Sequence, residues 1–243
     1  MGVIEPSFPE QYARTRRFSL GAPRDPVVAP GGDRVLFLRS RGGADPVMCL
    51  WELDVAGGVE RLVADPGVLS GEGDVVPVEE LRRRERARES AGGIVAYTTD
   101  RAAGVAVFAL GGRLFVAGLD GAGGPVRELP AAGPVLDPRP DPTGAVVAYV
   151  SGGGLRMIGV DGAGDRVLAA PDGAEVTWGL AEFVAAEEMG RQRGFWWAPD
   201  GTRLLVARVD ESPVERWYIS DPANPAVAPR AVPYPRRAPR TPK

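Results

Sequence analysis

The chain contains no histidine. That removes the usual general base at neutral pH and the commonest zinc ligand. No serine sits in a G-x-S-x-G elbow either: Ser70 lies in GVLSG and Ser151 in VSGGG. A Ser-His-Asp triad cannot be assembled from these residues, so the catalytic set within the chain is none. Cys49 is the only cysteine, so no internal disulfide can form. On an apolar strand its thiol reads as a small buried hydrophobe. No run approaches the roughly 18 apolar residues of a membrane span. The opening MGVIEPSFPEQYARTRR lacks the apolar centre of a signal peptide. A cytoplasmic protein is therefore expected, without membrane contact. The net charge is −3, which gives no electrostatic case for nucleic acid. DGAGD, Asp161 to Asp165, lacks the later ligands of a calcium loop and reads as a hairpin turn. No metal and no cofactor is expected.

What is present is ordinary globular material, 44% hydrophobic and 25% charged over 243 residues. That length can bury a substantial core. The 33 glycines and 24 prolines are spread throughout. Between them lie strand-length runs that end at Gly, Asp or Pro: RVLFLRS from Arg34, MCLWELDV from Met48, GIVAYTT from Gly93, VAVFAL from Val105, RLFVAGL from Arg113, AVVAYV from Ala145, LRMIGV from Leu155 and RLLVARV from Arg203. A pattern repeats. APGGDRVLFL begins at Ala29, DPTGAVVAYV at Asp141 and APDGTRLLVA at Ala198. Each is Pro, a small or polar residue, Gly, then a strand. A second strand ending near Asp follows, and then a third, such as ERLVA at Glu60 or DRVLA at Asp165. This is the grammar of a propeller blade; a β-sandwich is the alternative. The fold class expected is all-β, a partial β-propeller of antiparallel blades with short helical insertions.

Two segments break the rhythm. VEELRRRERARE, Val78 to Glu89, is charged and free of glycine, and reads as a solvated surface helix. The other is FVAAEEMGRQRGFWWAPDG, Phe183 to Gly201. A helix started near Leu180 puts Leu180, Phe183 and Val184 on an inward stripe, and continues it to Glu187 and Glu188. Two carboxylates on an inward face repel, and burying them is costly unless a cation compensates. Two readings stay open. The acids are a surface pair bonded to Arg191, which lies at i+4 and i+3 from them, or they hold a bound ammonium group. Trp196 and Trp197 read as blade core rather than as ligand contacts.

AEFVAAEEMGRQRGFWWAPDG resembles the double-glutamate segment of the dipeptidyl peptidase IV family of serine peptidases. FPEQYARTRRFSLGAP, LFLRSRGGADPVMCLWELDV, the RERARE helix, DPRPDPTGAVVAYV and RVDESPVERWYISDPANP resemble its bacterial members too. The resemblance covers the chain to about Arg236. It implies an N-terminal β-propeller that caps an α/β-hydrolase catalytic domain, which is missing from this chain. It implies that Glu187 and Glu188 bind the free α-amino group of a peptide substrate, which fixes cleavage two residues in. An arginine of the propeller assists, with Arg84, Arg86 and Arg88 as candidates. The implied partners are a peptide N-terminus and the catalytic domain, and the resemblance allows a homodimer of the intact enzyme. The alternative from another class is a stand-alone propeller that serves as a binding scaffold.

The domain expected is 1–235, an incomplete N-terminal propeller portion, followed by a disordered tail, 236–243. The resemblance implies a continuation after Tyr-Pro with one residue and then Ala-Gly-Thr or similar, whereas RRAPRTPK follows Tyr234-Pro235 here. A coding string for RRAPRTPK exists that reads Ala-Gly-Thr-Pro-Asn-Ala-Glu when shifted by two bases. All but one of the 29 basic residues are arginines, as in a GC-rich gene, and the exception is Lys243 itself. A frameshift near codon 236, and a fragment inactive as a peptidase, are the expectations.

Overall fold

The computed structural model describes residues 6–71, 76–119 and 124–234. The expected tail, 236–243, lies outside them. Three four-stranded antiparallel sheets follow one another in chain order. The first is β1 (Arg24–Val28), β2 (Arg34–Ser40), β3 (Val47–Asp54) and β4 (Val59–Ala64). The short β5 (Gly92–Gly93) adds in parallel to the start of β3. The second is β6 (Thr98–Thr99), β7 (Val105–Leu110), β8 (Arg113–Gly118) and β9 (Arg127–Leu129). The third is β10 (Leu136–Pro140), β11 (Val146–Ser151), β12 (Gly154–Gly159) and β13 (Arg166–Ala169). A fourth group holds β14 (Val176–Trp178), β15 (Phe195–Trp197), β16 (Leu204–Val206) and β17 (Arg208–Asp210), and a hairpin of β18 (Arg216–Ile219) and β19 (Arg230–Pro233) follows. Helices are few and short: α1 (Phe8–Arg14), α2 (Pro66–Leu69), α3 (Val78–Arg86) and α4 (Phe183–Glu188).

Consecutive sheets pack face to face, because their strands alternate with period two and neither face is polar. Leu36, Leu38 and Leu50 of the first sheet meet Phe108, Phe115 and Ala117 of the second. Val107, one residue from Phe108, points the other way. With Leu114 and Val116 it meets Val147, Tyr149 and Ile158 of the third sheet. Ala148, Val150 and Leu155 then meet Phe195 on the far side of that sheet. This is a propeller's arrangement, blade against blade, and the chain is a partial β-propeller.

Two of the turns that precede strands are closed by buried carboxylates. Asp141 accepts hydrogen bonds from the amides of Thr143, Ala145 and Val146 and from the Thr143 hydroxyl. Asp100 does the same for the amides of Ala102, Gly104 and Val105. Each side chain consumes the amides that the turn leaves unpaired. DGAGD is a turn: the Asp161 carboxylate accepts from the Ala163 amide. Asp165 is engaged by Tyr149, Arg156 and the Ala132 amide. Cys49 is buried in β3, and burial, then Asp65, pushes its thiol up.

Two strand expectations are corrected. GIVAYTT is strand only at its ends. Gly93 has φ +73°, the Ile94 amide donates to the Met48 carbonyl, and the chain crosses there from first sheet to second. RLLVARV is two strands, β16 and β17, for the reason given next. The charged helix ends at Arg86 instead of Glu89, because Ala87 caps it and Arg88 turns left-handed with φ +53°.

Candidate functional site

The fourth sheet is built around an excursion. β14 pairs with β17 from Val176↔Asp210 to Trp178↔Arg208, and β15 pairs with β16 from Phe195↔Val206 to Trp197↔Leu204. Ala207 links the two ladders. Its carbonyl accepts from the Gly179 amide at 2.9 Å, and its amide donates to the Gly194 carbonyl at 2.7 Å. In hydrogen-bonding terms one strand runs through Gly179 and Gly194, and residues 180–193 are extruded from it. The two ends of the excursion touch. A Cβ on Gly194 would lie 2.5 Å from the carbonyl carbons of Gly179 and Leu180, so only glycine lets the chain leave and return there.

Inside the excursion, Glu182 caps α4 by accepting from the Ala185 amide at 2.9 Å. Arg191 donates its amide to the Ala185 carbonyl and points its guanidinium at Glu182, 3.5 Å away. Gln192 closes the loop on the Ala186 carbonyl. The helix thus begins at Phe183, three residues later than helical spacing from Gly179 predicts. Its buried side chains are Ala185 and Ala186. The expected inward stripe is corrected: Leu180 packs in the core but precedes the helix, and Glu187 and Glu188 are exposed at the helix end. Small residues seat a helix of under two turns against the sheet and turn its acids to solvent, which avoids the cost of burying two like charges.

The surface pair with Arg191 is also not formed. Glu187 instead meets Arg86 of α3, with Arg86 Nε 3.6 Å from Glu187 Oε1. The Arg86 guanidinium also lies over the Phe183 ring, 5.1 Å from its centroid. Phe183 continues an aromatic chain to Tyr234, 5.4 Å away, and from there to Trp217, 4.6 Å on. Glu188 has no hydrogen bond or ion pair with a described residue. Of the other candidate arginines, Arg84 and its neighbour Arg83 are both bonded to Glu80, at 2.7 and 2.6 Å. Burial raises the Glu80 carboxyl, but these two guanidinium groups outweigh it and hold it below the usual carboxylate range. Arg88 is exposed and faces away into a different groove.

Helical spacing allows Glu80 to pair with Arg83 and Arg84, but it offers the other arginines acids as well, Glu79 to Arg82, Glu85 to Arg88 and Glu89 to Arg86, so it singles out none of them. Which of them reaches the Glu pair depends on where an insertion from another sheet lands, and no local signal carries that. Trp197 falls in the blade core as expected, whereas Trp196 is corrected: it is half-buried and outside the core clusters. Trp197 packs on the third sheet, with its indole N–H toward the Arg139 carbonyl, and Trp196 lies on the other face under Arg191 and Arg193.

Stacked antiparallel blades with a short helix extruded from one strand define a partial β-propeller with a helical insertion. The comparison with protein families agrees. Residues 120–242, just over half of the chain, match the model of the dipeptidyl peptidase IV (DPP IV) N-terminal region. The chain belongs to that family.

Proposed function

We propose that this chain is the substrate-anchoring propeller region of a serine-type dipeptidyl peptidase, and that Glu187 and Glu188, with Arg86, hold the free N-terminus of a peptide. The observation that carries the reading is the pairing pattern at the end of α4. Two adjacent carboxylates face solvent, one shared with Arg86 and one unspent. The Glu187 side chain is 37% exposed, so its ion pair with Arg86 contributes no more than about 1 kcal/mol and yields to a second cation. A peptide α-amine has a pKa of about 8 and is largely an ammonium at neutral pH. Charge-assisted bonds from it to both carboxylates are short and directional. Arg86 keeps donors free for the carbonyl that follows the amine. Hydrolysis needs a nucleophile, a base and an acid from an α/β-hydrolase domain, since this chain carries no histidine.

The test is calorimetric. A short peptide beginning Ala-Pro is titrated into the purified chain, and its N-acetylated form serves as control. The free-amine peptide binds and the acetylated one does not. Glu188→Gln lowers affinity by about 1.5–3 kcal/mol, the worth of one charged hydrogen bond. Binding also fades as pH rises through the amine's pKa of about 8. Equal binding of the free and acetylated peptides sinks the assignment.

A further inference from the structure

A second groove, of about 620 Å³, lies between the turn after α1 and the exit of α3. Its lining includes Arg16, Arg17 and Arg88, and no carboxylate is among its described lining residues. All three arginines have left-handed backbone, at φ +47°, +66° and +53°. That conformation is uncommon outside glycine, and strain of this kind collects where side chains are held for use. Arg16 is fastened, donating to the Ser90 carbonyl and, at 3.1 Å, to its hydroxyl. Arg17 and Arg88 are exposed and make no ion pair with a described residue. Glu89, next to Arg88 in the chain, is spent on Arg24 at 2.7 Å and on the Ala91 amide. Beside the groove stand three exposed rings, Phe8, Tyr12 and Phe18, with centroids 5.9–6.0 Å apart.

We infer that this groove binds an acidic peptide segment, its carboxylates on Arg17 and Arg88 and an adjoining apolar side chain on the Phe8–Tyr12–Phe18 cluster. Three converging cations without a counter-charge form an anion site, and guanidinium groups match carboxylates in bidentate geometry. The rings beside them select a ligand that carries apolar and anionic groups on one chain. A polyanion such as nucleic acid is disfavoured, because the net charge of −3 repels it beyond the groove.

The probe is an N-acetylated, C-amidated peptide of alternating Glu and Leu, titrated into the full chain at low salt. A Gln-for-Glu copy is the control. Neither peptide has an α-amine, so a failure here leaves the reading of Glu187 and Glu188 untouched. The Glu peptide binds about tenfold or more tighter than the Gln peptide, and the difference shrinks as salt shortens the screening length. Arg17→Gln combined with Arg88→Gln abolishes the difference. Both positions are exposed, and unchanged circular dichroism verifies folding. Equal affinity of the two peptides overturns the inference, as does full binding by the double variant. So does displacement of the peptide by inorganic phosphate at comparable concentration, or tighter binding of a single-stranded oligonucleotide.

Discussion

Gly194 is where a single residue decides whether the candidate site exists. A methyl group there meets the backbone of Gly179 and Leu180, and backbone cannot swing away as a side-chain tip can. Gly194→Ala is therefore expected to destabilise the chain by about 1–3 kcal/mol, the range of overpacking, read by urea denaturation. Gly190 has open space around its absent Cβ, so Gly190→Ala supplies the control for generic loop effects; only its left-handed φ of +63° is taxed. A Gly194→Ala variant as stable as the parent would mean that the neck is looser than its geometry. Asp165 makes a second residue-scale case. Burial raises its carboxyl, yet Arg156, the Tyr149 hydroxyl and the Ala132 amide outweigh that and hold it below the ordinary value. Asp141 is held low in the same way by Thr143 and the turn amides. A depressed carboxyl stabilises the fold above the unfolded pKa of about 3.9 and ceases to as pH falls through the folded value. Tyr149 moves oppositely. Burial, then its bond to Asp165, pushes its hydroxyl up to about 12, so its contribution is intact below pH about 10 and is lost as pH rises toward 12. The unfolding midpoint in urea is expected to be flat from about pH 5 to 9, to fall on either side, and to lose part of the acid limb in Asp165→Asn. An unaltered acid limb in that variant would remove Asp165 from the account.

At the scale of elements, what the sequence shows plainly is whatever depends on neighbours along the chain. The strands of the first three sheets stand between turn residues whose chemistry is local, and turns such as Asp141-Pro-Thr-Gly144 announce themselves. The pairing of Glu80 with Arg83 and Arg84 follows from helical spacing. α4 shows where local reading stops. Its existence and its Glu pair are legible. Its start is not, because Glu182 rather than the preceding glycine caps it, and its buried face is not, because Ala185 and Ala186 give no apolar signal as strong as that of Leu180, Phe183 and Val184. The division of RLLVARV into β16 and β17 is likewise invisible. It arises because the opposite strand is interrupted, and the interruption lies outside that segment. Arg86 belongs with these: its ion pair with Glu187 requires α3 and α4, separated by two whole sheets in sequence, to meet. The β18–β19 hairpin holds the other end of the aromatic chain under Arg86, so Phe183 ties the proposed anchor to the last described strand.

For the molecule as a whole, stability rests in the three clusters between successive sheets, because few long helices or other layers exist to share it. Strand alternation assigns each side chain to one interface. Phe108 lies between the first and second sheets, fully buried and stacked on Phe115 at 5.6 Å, while Leu204 and Val206 face the third sheet from the fourth. Leu205, between those two, points away and is 70% exposed. The same class of residue therefore has opposite consequences at two positions in one architecture. Phe108→Ala removes a buried ring and leaves a cavity that close-packed sheets cannot collapse into, at a cost of about 3–5 kcal/mol. Leu205→Ser removes a side chain that already meets water, and stays within about 0.5 kcal/mol. Both are read by urea denaturation of the purified chain, at two protein concentrations so that self-association is not mistaken for folding. Comparable losses from the two substitutions would mean that the outer face of the fourth sheet is covered in solution, and that the sheet-to-sheet clusters are not where this chain keeps its stability.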